Sequence, residues 1–108
     1  MANTFKNALS KNVSTSLVTV YTPPSAQTSI LIELDVANQN TTTAITVDTV
    51  ITKSGTDYYV VRSAPIAVGG SLQVVNGQKI VLEYGDEIKV RASVANSADV
   101  IASILQDV

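Results

Sequence analysis

Residues 28–105 alternate in steps of two, with valine, isoleucine and threonine at the alternating positions. A side-chain period of two fits a pleated strand with one dry face and one wet face, and it does not fit the 3.6-residue repeat of an amphipathic helix. The chain is therefore expected to be made of extended segments. In the clearest run, residues 28–38, Ile30, Ile32, Leu34 and Val36 fall on one side and Leu31, Glu33, Asp35 and Ala37 on the other, so the first set is expected to face the core. In the next run, residues 43–52, Ile45, Val47 and Ile51 are expected inward and Thr46, Asp48 and Thr52 outward. Ile88, Val90, Ala92 and Val94 form a third inward row, with Lys89, Arg91 and Ser93 opposite.

Breaks between the runs carry turn chemistry. A first strand at residues 16–21 is stopped by Pro23 and Pro24, which cannot donate to a ladder. Asn38, Gln39 and Asn40 make a polar turn, and the Gly55 region closes a hairpin into residues 58–63. Pro65 marks an edge or a crossover, and Gly69-Gly70 turns the chain again. Asn76-Gly77 is the strongest short hairpin signal, because a type I′ turn needs positive φ at both central positions; it predicts separate strands at 71–75 and 78–83. The Tyr84-Gly85 turn leads to residues 88–94, and a last strand is expected at 99–105, where Val100, Ile101 and Ile104 favour strand over helix. About eight short strands at this spacing predict an all-β, single-domain antiparallel β-sandwich, jelly-roll-like or Ig-like, over residues 16–108. Residues 1–15 are polar and irregular and are expected to form an extended N-terminal arm, with Phe5, Leu9 and Val13 spaced by four.

Composition narrows the chemistry. The 108 residues include no histidine and no cysteine, which removes the commonest general base, thiol nucleophiles, disulfides and most zinc ligand sets. Nine acids against seven bases give no cationic field for a phosphate backbone, so no nucleic-acid partner is expected. No apolar stretch approaches the ~18 residues of a membrane span and no apolar run follows the first lysines, so neither a membrane nor a secretion signal is expected. Charged residues make up only 15%, against about 25% in an ordinary soluble domain. A surface with so few charges suits a subunit whose neighbours cover part of it.

Candidate sites for small-molecule chemistry are weak. The acidic turn Glu83, Asp86 and Glu87 matches no calcium-loop spacing, and Lys89 and Arg91 lie close by. Glu33 and Asp35 point the same way from one strand, which is the habit of a solvated face, and tryptophan, usual in glycosidase subsites, is absent. Tyr58 and Tyr59 alternate faces, so one of them is expected outside, as a partner-binding or sugar-stacking ring. Gly69-Gly70 lacks the lysine and helix of a phosphate loop. No catalytic residue, cofactor or metal is expected. Phe5, Leu9, Val13 and Tyr59 are the candidate assembly contacts.

The run from Val68 to Leu72, the run from Lys79 to Val90 and the run from Asp99 to Leu105 resemble small all-β virion structural proteins of tailed bacteriophages. The opening Met1-Ala2-Asn3-Thr4-Phe5-Lys6-Asn7-Ala8, with Val18-Thr19-Val20-Tyr21-Thr22, is similar to short structural proteins of phages that infect cyanobacteria. The resemblance implies no catalytic residues. It implies a virion component made in the host cytoplasm, either a capsid cement or decoration protein or a tail, neck or baseplate piece. The implied partners are the major capsid protein or other virion proteins, with the chain as a homo-oligomer, a trimer in the decoration case. A carbohydrate-binding module using Tyr58 or Tyr59 is the alternative from another class.

Overall fold

A computed structural model describes residues 3–107. Eight strands follow one another: β1 (Thr4–Val13), β2 (Val18–Tyr21), β3 (Ser29–Asn38), β4 (Ile45–Lys53), β5 (Thr56–Ile66), β6 (Ser71–Leu82), β7 (Glu87–Ala92) and β8 (Ala98–Gln106). They form two four-stranded antiparallel sheets, ordered β1-β8-β3-β6 and β2-β7-β4-β5. Only β4 and β5 are sequence neighbours paired in one sheet; every other connection crosses between the sheets. That is the jelly-roll form of the sandwich expected from the two-residue period.

The core lies between the sheets. Leu31, Leu34 and Val36 of β3 meet Val100, Ala102 and Ile104 of β8, and face Ile45 and Val47 of β4 and Ile88, Val90 and Ala92 of β7. The expected inward rows of β4 and β7 are largely found, with Ile51 only partly buried and Val94 beyond the end of β7.

β3 departs from its expected phase. Leu31 pairs with Ile104 and Glu33 with Ser103, so β3 carries one residue more than β8 at this point, which is a β-bulge. Before the bulge odd-numbered residues point inward; after it, even-numbered ones do. Leu34 and Val36 are in the core as expected, but Ile30 and Ile32 are not, and Leu31 takes the buried place.

β6 holds the matching irregularity. From Leu31↔Ile80 to Glu33↔Asn76, β6 has two residues more than β3. Asn76-Gly77 is thus no hairpin: β6 runs unbroken from Ser71 to Leu82, and the positive φ of Gly77 (84°) and Lys79 (61°) shapes a bulge. The hairpin that does form is Ser54-Gly55, with φ of 51° and 78°, between β4 and β5. Pro65 stays within β5, which its place at the sheet edge permits.

The arm expected at residues 1–15 is corrected over most of its length, with Met1 and Ala2 outside the described residues. Thr4–Val13 is β1, paired with β8 from Thr4↔Gln106 to Ser10↔Val100 without interruption. Val13 is buried in the core and Ala8 packs against it. β1 therefore belongs to the sandwich, and β8 would lose a ladder without it.

One polar residue ties the end of the sandwich together. Asn38 is buried, and its Nδ2 donates to the carbonyls of Thr43 (3.0 Å), Ile66 (3.2 Å) and Ala67 (3.3 Å). Its Oδ1 accepts from the Asn40 amide at 2.9 Å, and its own amide donates to the Gly70 carbonyl at 2.9 Å. The β3–β4 and β5–β6 connections are thereby held by one side chain. Asn38→Asp, which turns an acceptor toward three carbonyl oxygens, should lower unfolding free energy by about 3 kcal/mol in a denaturant titration. The opposite sign is expected at Thr49, whose hydroxyl is buried with no hydrogen-bond partner among the described residues. Thr49→Val should raise stability by about 1 kcal/mol in the same titration.

Candidate functional site

The two outer faces of the sandwich differ in kind. On the β2-β7-β4-β5 sheet the polar groups satisfy one another. Arg91 Nε donates to Asp48 Oδ2 at 2.6 Å, and the Ser63 amide donates to Asp48 Oδ1 at 2.6 Å. Arg91 Nη2 reaches Tyr59 Oη at 3.3 Å, while the Arg62 guanidinium lies 4.7 Å above the Tyr59 ring centre. Thr19 donates to Glu87 at 2.9 Å, and Lys89 pairs with Glu87 at 3.7 Å. Val50, opposite Lys89 and Tyr59 in the ladders, is fully buried on this outer side.

Burial alone would push the Asp48 carboxyl up, but the Ser63 amide, Arg91 and Arg62 outweigh it and hold its pKa below the ordinary value. The folded state therefore binds this proton less tightly than the unfolded one. Asp48 contributes stability above the carboxylate range, and the contribution is lost as pH falls through its lowered pKa.

The outer face of the β1-β8-β3-β6 sheet is different. Cross-strand partners place Phe5, Leu105, Ile30 and Val81 in one row across all four strands. Two rows further on, Leu9 and Ile101 stand opposite each other, followed by Asp35 and Gln73. Phe5 is 77% exposed, Leu9 68%, Val81 61% and Ile101 52%. Four large apolar side chains so exposed on one sheet face are the kind of surface that a neighbour covers. Between Leu9 and Ile101 a shallow depression of about 310 Å³ is lined also by Ser10, Lys11, Asp99 and Val100. Lys11 pairs with Asp99 at 3.1 Å and closes this end of the face.

An acid pair belongs to this face, with Glu33 between the two apolar rows and Asp35 in the second of them. Glu33 and Asp35 share the outer side of β3, opposite Ser103 and Ile101. A hydrogen bond with Asp35, and then repulsion from its charge, raises the pKa of Glu33 above the usual carboxylate value. Asp35 Oδ1 is buried and has no hydrogen-bond partner among the described residues.

The acidic turn after β6 is internally satisfied. Asp86 Oδ2 accepts from the Glu83 amide at 2.9 Å, and Lys53 Nζ lies 3.1 Å from both Asp86 carboxylate oxygens and 3.2 Å from Glu83. The lysine ammonium supplies the positive charge in this turn.

Of the expected assembly contacts, Phe5 and Leu9 lie together on the apolar face. Val13 is in the core, and Tyr59 is on the opposite sheet, engaged by Arg62 and Arg91. Ile30, Val81, Ile101 and Leu105 complete the face and were not singled out from the sequence. A usable signal existed at residues 99–105, where Ile101 and Leu105 alternate with Val100 and Ile104 and so make the strand apolar on both sides.

Because Glu33 binds its proton more tightly when folded, the pair opposes folding when both carboxyls are ionised, and this opposition is relieved as pH falls through the raised pKa. Asp35→Asn should return the Glu33 titration, followed by carboxyl NMR shifts, toward its ordinary value and flatten the pH dependence of stability in that range. Comparisons with protein-family models, with curated proteins and with solved structures gave no match to this chain.

Proposed function

We propose that the chain is a structural subunit of a virus particle of the tailed-bacteriophage kind, acting as a capsid cement or decoration protein whose partner is the major capsid protein. The observation that supports this reading most is the contrast between the two outer faces: one is closed by its own ion pairs, the other carries exposed apolar side chains on β1, β8 and β6. A subunit that binds by shape needs such a face, and covering it stabilises a shell through apolar burial at about 25 cal/mol per Å² less the entropy of fixing the subunit. The low charge content is consistent with this use. Jelly rolls serve in viral capsids and in lectins alike, so the fold supports the reading by analogy only.

A tail, neck or baseplate piece would use the same face in fewer copies. The carbohydrate-binding alternative has less support at Tyr59, where Arg62 covers a ring face; both tyrosines are exposed, contrary to the expectation that only one would be, and Tyr58 is the ring that this alternative would use.

Ile101→Lys and Val81→Lys each place a charge on the exposed apolar face without touching the core. Both variants should keep the parent's unfolding free energy within about 0.5 kcal/mol. Incubated with particles lacking the protein, they should show strongly reduced occupancy by quantitative mass spectrometry, whereas Thr56→Lys in the β4–β5 hairpin should load like the parent. Undiminished loading of both face variants would remove the reading. Copies counted per particle separate the two placements: many, in proportion to capsid subunits, for cement, and a few to a few dozen for a tail, neck or baseplate piece.

A further inference from the structure

The two sheets have four edge strands, and three of them are blunted. β5 is interrupted by two register shifts, a positive φ at Ser63 and Pro65. β6 carries the bulges around Gly77 and Lys79, and β2 is only four residues long, followed closely by Pro23. These are the devices by which proteins keep sheet edges from pairing with other chains. β1 has its irregularity only past Ser10, where Asn12 adopts φ of 54°. From Thr4 to Ser10 it is a regular strand with β8 on one side and, among the described residues, no strand on the other.

We propose that β1 is the pairing edge for a second copy of this chain, joined antiparallel about a two-fold axis at Asn7. Across such an axis, perpendicular to the sheet, residues facing outward must oppose residues facing outward, so the two opposed residue numbers sum to an even value. The register centred on Lys6 sets two ammonium groups opposite each other, which is unfavourable. The register centred on Ala8 sets Phe5 against Lys11. The register centred on Asn7 opposes Phe5 to Leu9 twice, leaves Lys6 opposite Ala8, and sets Asn7 against itself.

That register also joins the apolar surfaces. The row Val81, Ile30, Leu105, Phe5 of one copy continues directly into Leu9 and Ile101 of the other, and the two-fold repeats it. Six apolar side chains then cross the seam in line, within one eight-stranded sheet. The inference holds whether or not the chain belongs to a particle, and it assigns a pair where the resemblance implies a ring of three. Strand pairing of this length buries little area, at the low end for specific association, so the pair forms in a concentration-dependent way.

The chain contains no cysteine, so a single introduced one reports position without interference. Under mild oxidation Asn7→Cys should give a disulfide-linked dimer that melts no lower than the parent, while Leu9→Cys, opposite Phe5 of the second copy, should stay largely monomeric. Equal cross-linking of both variants, or none with Asn7→Cys, would overturn the register. The unmodified chain gives an independent measurement: amide exchange within residues 5–9 should slow by roughly tenfold from dilute to concentrated solution, with β5 and β6 amides unchanged. Exchange that is independent of concentration, together with monomeric sedimentation throughout, would overturn the pairing itself. Neither result depends on particle loading, so a failure here is separable from a failure of the assembly role.

Discussion

The bulge in β3 between Leu31 and Glu33 decides which face each neighbouring side chain takes. Strand geometry allows only two faces, and one inserted residue exchanges them for everything that follows. With the bulge, Leu31 and Leu34 both reach the interior although an odd number of steps separates them. Ile30 is left outside, opposite Leu105 and Val81, and Glu33 and Asp35 follow it onto the same surface. That Ile30 shares the outer face with the acid pair is thus the consequence of one backbone event. β6 accommodates it by carrying extra residues at the same level, which is where the left-handed conformations of Gly77 and Lys79 are needed.

This central position of β3 explains why the two outer faces diverge. The β2-β7-β4-β5 sheet collects Asp48, Arg91, Glu87, Lys89 and Arg62, whose mutual contacts leave little for a partner to satisfy. Individually such exposed or half-exposed pairs contribute little to stability, about 0 to 1 kcal/mol each. Their larger effect is to keep Val50 covered and the surface wet. The other sheet has Lys11–Asp99 at one end, Lys6 and Lys79 on its edge strands β1 and β6, and apolar, amide and hydroxyl groups around two carboxyls. The first sheet pairs its charges with one another, whereas exposed Phe5, Leu9, Val81 and Ile101 leave the second available for contact.

The class of fold was legible because it depends on a period repeated over many residues, and no local irregularity changes that average. β7 was legible almost side chain by side chain, since Ile88, Val90 and Ala92 run through a stretch without a bulge. β3 was legible as a strand but not in phase, because a bulge leaves no mark in an uninterrupted run of apolar residues. Asn76-Gly77 misled for a physical reason: the same tolerance of positive φ that makes a hairpin turn also makes a bulge, and only the pairing of both halves of β6 with β3 distinguishes the two. Asn38 read as part of a polar turn, yet it is buried, because its amide takes up backbone carbonyls from two connections that are distant in sequence. The face missed Ile30 and Val81 for the same reasons that β3 and β6 were misread.

β1 was hidden by a property that also matters to its use. An interior strand must alternate, but an edge strand on an open face has no dry side to declare; here the apolar Phe5 and Leu9 point out, while Lys6, Ala8 and Ser10 take the side of Ile104, Ala102 and Val100. Small and polar groups suffice there because β8 already seals the core at this margin, with only Ala8 and the buried Val13 reaching it. A segment held mainly by its ladder, with its largest side chains facing water, gains little of its order from burial. The apolar groups that would ordinarily anchor a strand are instead turned toward whatever lies outside, which is why the segment reads as an arm in the sequence and stands as an open edge in the fold.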